Sequence, residues 1–401
     1  MIPQAVLSGV TILDLSRVLA GPFAAMLLGD FGARVIKIER PGLGDDTRQW
    51  GPPFTKSGIS AYYLCANRNK ESVTLNLKRP EGRAILRELA LRSHVLLENF
   101  HAGAMDRWGL GYDALRRLHP ALVYCAITGY GQTGPYRDRP GYDNVIEAMG
   151  GLMSITGPPG ESGAPYKAGV AVADIAAGMY AALSILAALR HSERTGTGQY
   201  IDISLMDAQI SWLANAASAY LVSGEPPRRY GNDHASIVPY QAVATQDGWL
   251  MLAVGNDRQF AVLCQVLGRP EWSSDERFAT NSARVGHRAE LNRLLETEFA
   301  RRTSQEWTEA LLPAGVPCGP VNDIPDALSD PQVAARGMVQ SIAHSVMGDV
   351  PQIGPAPKLS LTPPAIRSAP PLLGEHTEKV LTELLGYDSD RIRRLSQDGV
   401  I

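Results

Sequence analysis

The first half of the chain alternates short β-like apolar runs with helical stretches, and this alternation constrains the fold more than any other feature. Val10–Leu15, Arg34–Glu39, Ser72–Leu77, His94–Glu98 and Leu122–Ile127 read as strands. Ala20–Asp30, the stretch from Pro80 through Arg92, and Tyr112–Leu118 read as the helices between them. Strands separated by helices of this length imply parallel βαβ units wound on both faces of one sheet. The expected fold class is therefore α/β, with a doubly wound, mainly parallel, Rossmann-like large domain. In such a sheet the ligand lies beyond the carboxyl ends of the strands.

The second half reads differently. Residues 168–223 are mainly helical, interrupted by Thr195-Gly-Thr-Gly198 and a strand-like Gln199–Ile203. Pro226-Pro-Arg-Arg229 is a natural linker. Beyond it, Tyr240–Ala244 and Trp249–Val254 flank Asp247-Gly248, a hairpin turn signal. Helices over Asp257–Leu267 and Arg288–Ala300 complete a smaller α+β domain. Seven prolines, at 351, 355, 357, 363, 364, 370 and 371, favour an extended, semi-rigid strap. A helix over Glu378–Leu385 closes the chain. The expected organisation is a large domain over 1–203, rejoined by 376–401, a helical linker over 204–228, a small domain over 229–345 and the proline-rich linker over 346–375.

Composition excludes several classes of function. With 38 basic and 41 acidic side chains in 401 residues, the net charge is −3. No long basic block suits a nucleic acid or an anionic membrane. Cys65, Cys125, Cys264 and Cys318 are far apart and read as buried thiols in a reducing compartment. The N-terminus shows no basic region followed by a cleavable apolar one, so the expected location is the cytoplasm. Ala168–Leu189 is apolar, but Asp174 interrupts it, and it reads as a buried helix in preference to a membrane span.

Familiar catalytic motifs are missing. The chain has no phosphate-binding P-loop, no three-glycine dinucleotide fingerprint after the first strand, no G-x-S-x-G elbow and no H-E-x-x-H. Its eight histidines are scattered, so no metal is expected. Asp174 stands alone among small apolar residues in Ala171-Val-Ala-Asp-Ile-Ala-Ala-Gly178. That pattern fits either a carboxylate stabilising a helix N-terminus or a desolvated nucleophile open to a bulky substrate. Arg40, Lys78 and Arg107 each follow a strand, where together they suit an anionic, phosphorylated ligand. Gly/Pro-rich loops at Gly44–Trp50 and Gly129–Asp143 fall at strand ends as well.

In this order the positions resemble the class III coenzyme A transferases, from Leu7 to the end of the chain. The resemblance is carried by Asp14-Leu-Ser-Arg-Val-Leu-Ala-Gly-Pro22, Gly32–Arg40, Asn69-Lys70, Leu75-Asn-Leu-Lys78, Glu98-Asn-Phe100, Pro140-Gly-Tyr-Asp143, Asp174, Gly315–Pro320 and Leu372–His376. Within the family, Gly44–Phe54, Thr128–Pro135 and Ser236–Gln241 look most like the branch that moves CoA from succinyl-CoA to glutarate.

The resemblance implies a role for each of these segments. Asp174 falls on the nucleophile. Val18, Leu19, Ala20, Arg40, Leu75, Asn76, Leu77, Lys78, Asn99, Phe100, His101 and Arg107 fall on coenzyme contacts, and Tyr142 and Asp143 beside the thioester. Coenzyme A and acyl-CoA are implied as substrates, with no permanently bound cofactor. Small carboxylic acids and a second copy of the chain, in an interlocked homodimer, are the implied partners. For a dicarboxylate acceptor, Arg17, Arg48, Trp50, Tyr62 and His234 are the candidate contacts. Two departures bear on the activity. The glycine run that covers the nucleophile in formyl-CoA transferase is missing, leaving Gly231–His234 or Gly255–Asp257 to supply the cover. Tyr142 stands where the superfamily's racemases have histidine, which disfavours racemisation, the main alternative alongside formyl-CoA:oxalate transfer.

Overall fold

The computed structural model of the chain describes residues 5–160 and 163–401. These fall into two compact units. One comprises Met1–Met153, Lys167–Glu225 and Pro331–Ile401, and the other Ser154–Tyr166 and Pro226–Asp330.

The first unit is built on six parallel strands: β1 (Thr11–Asp14), β2 (Arg34–Glu39), β3 (Lys70–Thr74), β4 (Val95–Glu98), β5 (Val123–Thr128) and β6 (Tyr200–Ser204). Their order across the sheet is β3-β2-β1-β4-β5-β6. Pairing runs outward both ways from β1, with Leu13 opposite Ile36 on one side and Leu96 on the other. The direction of winding therefore reverses between β1 and β4. Helices cover both faces. On one face, Ala20–Asp30 and Val172–Thr195 pack Ala24, Leu28, Ala177 and Ile185 against Ile12 and Val123. On the other, Pro80–Ala90 and Thr377–Leu385 bury Ile85, Leu89 and Val380 against Leu13, Ile36 and Leu96. Each such large side chain contributes about 1.5–3 kcal/mol when taken fully out of water.

Val172–Thr195 is the one helix among the described residues long and apolar enough to cross a membrane. Its alanine-rich face lies in the core, while Met179, Tyr180 and Leu183 are exposed. Gly178 brings it close to the Ala20–Asp30 helix, since a Cβ there would stand 2.6 Å from the Ala20 carbonyl oxygen.

Several expected bounds move. The third strand begins at Lys70 instead of Ser72 and ends at Thr74, so Leu75–Lys78 leave the sheet. The strap is not wholly extended. β10 (Val339–His344) and β11 (Gly348–Ile353) form an antiparallel hairpin that accepts Pro351 opposite Ser341. This hairpin belongs to the first unit, and the second unit ends at Asp330 instead of 345 and gains 154–166. After the hairpin the chain does return to the large sheet. The His376 amide donates to the Ser72 carbonyl at 2.9 Å, and the Asn76 amide to that of Val400 at 2.7 Å. A second C-terminal helix, Ser389–Gln397, follows the expected one. Cys65 is exposed and Cys318 half-buried, so only Cys125 and Cys264 are the buried thiols expected.

The second unit holds an antiparallel sheet of β7 (Tyr240–Ala244), β8 (Trp249–Ala253) and β9 (Cys318–Pro320). Helices Asp257–Val266, Arg288–Phe299 and Ser304–Leu311 close its core around Phe260, Leu295 and Trp307.

Candidate active site

Where the sheet reverses, the loops leaving β1 and β4 part and form a crevice. They are tied across it. The Arg17 amide donates to Asn99 Oδ1 at 2.9 Å, and Asn99 Nδ2 donates to the Arg17 carbonyl at 2.7 Å. Glu98 Oε2 accepts from the Phe100 amide at 2.7 Å, fixing the start of the second loop. Burial pushes the Glu98 carboxyl up to about 8.

A buried ionic network supports the first loop. Asp14 accepts from the Ser16 amide and hydroxyl and from Lys70 Nζ. Lys37 Nζ donates to the Ser16 carbonyl and to Asp45 Oδ2, both at 2.9 Å. Asp45 Oδ1 in turn accepts from the Val18 amide at 3.2 Å. Burial alone raises the Asp14 and Asp45 carboxyls, but the lysine charges outweigh it and hold both low, Asp45 at about 2. The network holds Val18 at φ 70°, in the left-handed region. For a β-branched residue that conformation costs about 1–3 kcal/mol. The turn delivers Leu19 and Ala20 to the start of a helix that no side chain caps, leaving its first amides available to a ligand.

Asp174 enters the crevice from the first turn of Val172–Thr195. Among the described residues no cation or side-chain donor pairs with its carboxylate. Its amide and that of Ala173 donate instead to Asp143 Oδ1, at 3.2 and 2.8 Å. Asp143 is set in turn by a close crossing of loops, where a Cβ on Gly141 would stand 2.5 Å from Gly129 Cα. Burial, and then the Asp143 charge, push Asp174 up to about 7.

Asp174 lines the smaller of two cavities that share Arg17 and Phe100. One, of about 210 Å³, is lined by Arg17, Val18, Leu19, Ala20, Asn99, Phe100, His101, Tyr142, Asp143 and Asp174. The other, of about 410 Å³, is lined by Arg40, Leu75, Asn76, Leu77 and Lys78. Arg17 and Phe100 line both, with the guanidinium 5.7 Å from the ring centroid. Most of the sequence candidates are thus gathered into one continuous groove.

Five candidates line neither cavity. Arg107 is exposed and lines neither cavity. Arg48 is consumed structurally, with Nη2 donating to Glu39 Oε1 and to the Tyr63 hydroxyl, both at 2.6 Å. Burial of Glu39 forces that pairing. Trp50 lies edge-on to Tyr62, centroids 5.2 Å apart, outside the cavity linings. Tyr62 stays within electrostatic reach of Asp174, since burial and then the Asp174 charge push its phenol up to about 12. His234 lies in the second unit, where Nδ1 accepts from the Ser236 amide. The two proposed covers lie there too, with Asp233 bound to Asn292 and Asp257 to Arg284.

A family model described as CoA-transferase family III matches residues 7–377. The chain belongs to this family.

As a family III transferase it is 46% identical over 395 residues to succinyl-CoA:glutarate CoA-transferase of Mus musculus, covering 98% of this chain and 90% of the mouse protein. It is 47% identical over 383 residues to succinate–glutarate CoA-transferase of Agrobacterium fabrum, covering 94% of this chain and 95% of that one. The crystal structure of a CaiB/BaiF family protein from Brucella suis superposes with a TM-score of 0.86 at 44% identity, covering 95% of this chain and 100% of that chain.

The transferase's groove also contains residues that the sequence reading left out. Trp108 and Lys37 line the larger cavity, Trp108 packing edge-on to Phe100 at 5.4 Å. Arg137 and Arg139 line the smaller one. The arginines sit in the Gly/Pro-rich loop after β5, whose position at a strand end was the available signal. Nothing in the spacing of Trp108 or Lys37 signals them, because tertiary packing alone brings them to the groove.

Proposed function

We propose that the protein moves coenzyme A from succinyl-CoA to a dicarboxylate such as glutarate, with Asp174 as covalent nucleophile. The observation that carries this reading is an unpaired, partly desolvated carboxylate lining the smaller of two cavities that share Arg17 and Phe100, in a chain of CoA-transferase family III. The mouse and Agrobacterium relatives are named for CoA transfer between succinyl-CoA or succinate and glutarate. The larger cavity suits the nucleotide, with Arg40 and Lys78 for phosphate and Leu43, Leu75 and Trp108 for the adenine and pantetheine. The smaller cavity suits the thioester and the acids.

In the proposed sequence, an Asp174 oxygen attacks the succinyl thioester carbonyl. The C–S bond breaks, leaving a succinyl-aspartyl anhydride and CoA thiolate. The thiolate attacks the aspartyl carbonyl, releasing succinate and leaving an aspartyl-CoA thioester. Glutarate then attacks that carbonyl, expelling CoA thiolate, which attacks the glutaryl carbon and regenerates Asp174. Each step conserves an activated acyl group as long as water is kept out.

Arg17 is the strongest contact for the acceptor's distal carboxylate. It lines the cavity beside Asp174; its Nη1 pairs with Asp46 at 3.1 Å, and its Nε is buried without a partner. Arg137 and Arg139 add positive charge at the same cavity. An interlocked homodimer accounts for Met179, Tyr180 and Leu183 on the long helix and for Tyr220, Leu221 and Val222 on a helix that buries none of its residues. The test is turnover of succinyl-CoA with a panel of acids. Glutaryl-CoA formation is expected, and exchange of an α-proton with solvent without any acceptor acid would point to racemisation instead.

A further inference from the structure

Behind Asp174 lies a pair of carboxyl groups that the transfer steps do not use. Asp143 opens the Asp143–Met149 helix and Glu147 stands four residues on, so both project from one face. Both are shielded from water, Asp143 at 9% and Glu147 at 0% exposure. Each spends one oxygen on the chain that delivers the nucleophile. Asp143 Oδ1 accepts from the Ala173 and Asp174 amides, and Glu147 Oε2 accepts from the Ala168 amide at 2.8 Å. One helix face thus grips both ends of the 168–174 segment. The remaining oxygens, Asp143 Oδ2 and Glu147 Oε1, are buried with no hydrogen-bond partner.

Two adjacent carboxylates, each with an orphaned buried oxygen, are costly unless one of them carries a proton. A single proton between those oxygens removes one charge and satisfies both atoms. Among the described residues no cation hydrogen-bonds either oxygen. The long helix presents Asp174 itself, with Tyr62 beyond it. The Leu205–Ser211 helix presents the neutral, buried Gln209 against Gly150, and its Asp207 is exposed. Lys167 is nearby, but its Nζ donates to the Ala168 carbonyl at 3.1 Å.

We propose that Glu147 is a positioning residue held as the carboxylic acid, donating from Oε1 to Asp143 Oδ2, so that the pair bears one negative charge and clamps the nucleophile's turn. This rests on the role assigned to Asp174. Burial raises the Glu147 carboxyl above its ordinary range and the contact with Asp143 raises it further, against the opposing Ala168 amide and Lys167 charge. Losing the proton at high pH adds a second charge behind Asp174 and opens the clamp. Glutamine at position 147 keeps a donor in place and has no proton to lose.

The proton is read directly by infrared difference spectroscopy of D174N against D174N/E147Q at neutral pH. A protonated-carboxyl C=O band is expected in the first and not in the second; its absence from the first overturns the proposal, whatever the activity. In kinetics with succinyl-CoA, E147Q is expected to keep kcat within about threefold and to lose the alkaline decline of the pH profile, whereas E147A loses about tenfold in kcat with CoA affinity retained. An E147Q enzyme as impaired as E147A also overturns it. Failure of every variant and of the parent to transfer CoA speaks against the proposed function instead, and leaves the infrared result to decide on Glu147.

Discussion

Replacing Asp174 by alanine or asparagine is expected to abolish transfer while leaving CoA binding, measured by calorimetry, within about threefold, because the carboxylate acts on the thioester and not on the nucleotide. The nucleophile must be ionised, so kcat should rise with pH through an apparent value near 7. Removing the nearby charge in D143N should move that limb to lower pH, a shift read from the pH–rate profile. The sign of the linked stability is opposite. Between the ordinary aspartate range and about 7 the folded chain keeps a proton that the unfolded chain has lost, so Asp174 makes folding less favourable as pH rises through that window. Its isolation among alanines is the part of this chemistry that was legible in the sequence. The fate of Arg48 was not legible. Its spacing from Glu39 says nothing of a bidentate pair under Pro371, and only burial of Glu39 reveals it. R48M, which removes the ion-pair partner of that buried carboxylate and leaves it only the Ser72 hydroxyl, the Asp45 amide and the Lys37 charge, should cost about 3 kcal/mol in denaturant unfolding with the acceptor KM unchanged.

Gly178 links the packing of two helices to the position of Asp174. G178A sets a methyl group against the Ala20 carbonyl, where neither backbone yields easily. It should destabilise the protein by about 1–3 kcal/mol and lower kcat through displacement of Asp174 one turn away, with thermal unfolding and single-turnover rates as the readouts. The strands of the large sheet were legible because each is a short apolar run between helices of regular length. The expected third strand, from Ser72, leaves out Lys70, which is fully buried at the start of the strand and paired with Asp14 beneath the loop after β1. The β10–β11 hairpin was masked by its proline. An edge position tolerates a residue without an amide proton, so composition alone suggested a strap.

For the whole molecule, the proline-rich return of the chain and the exposed apolar faces of the long helix and of Ala214–Ser223 fit a chain completed by a second copy. If the proposed homodimer forms through these faces, L183E and L221E together, both at exposed positions, shift the protein to monomer in analytical ultracentrifugation; a parent chain that already sediments as a monomer, or sedimentation unchanged by both substitutions, would contradict that reading. The covalent role of Asp174 is tested most directly by incubating the enzyme with succinyl-CoA, quenching with hydroxylamine and mapping the modified peptide by mass spectrometry. A hydroxamate at Asp174 that disappears in D174A is the predicted result. An unmodified Asp174 in an enzyme that turns over, or transfer that survives in D174A, would contradict the account.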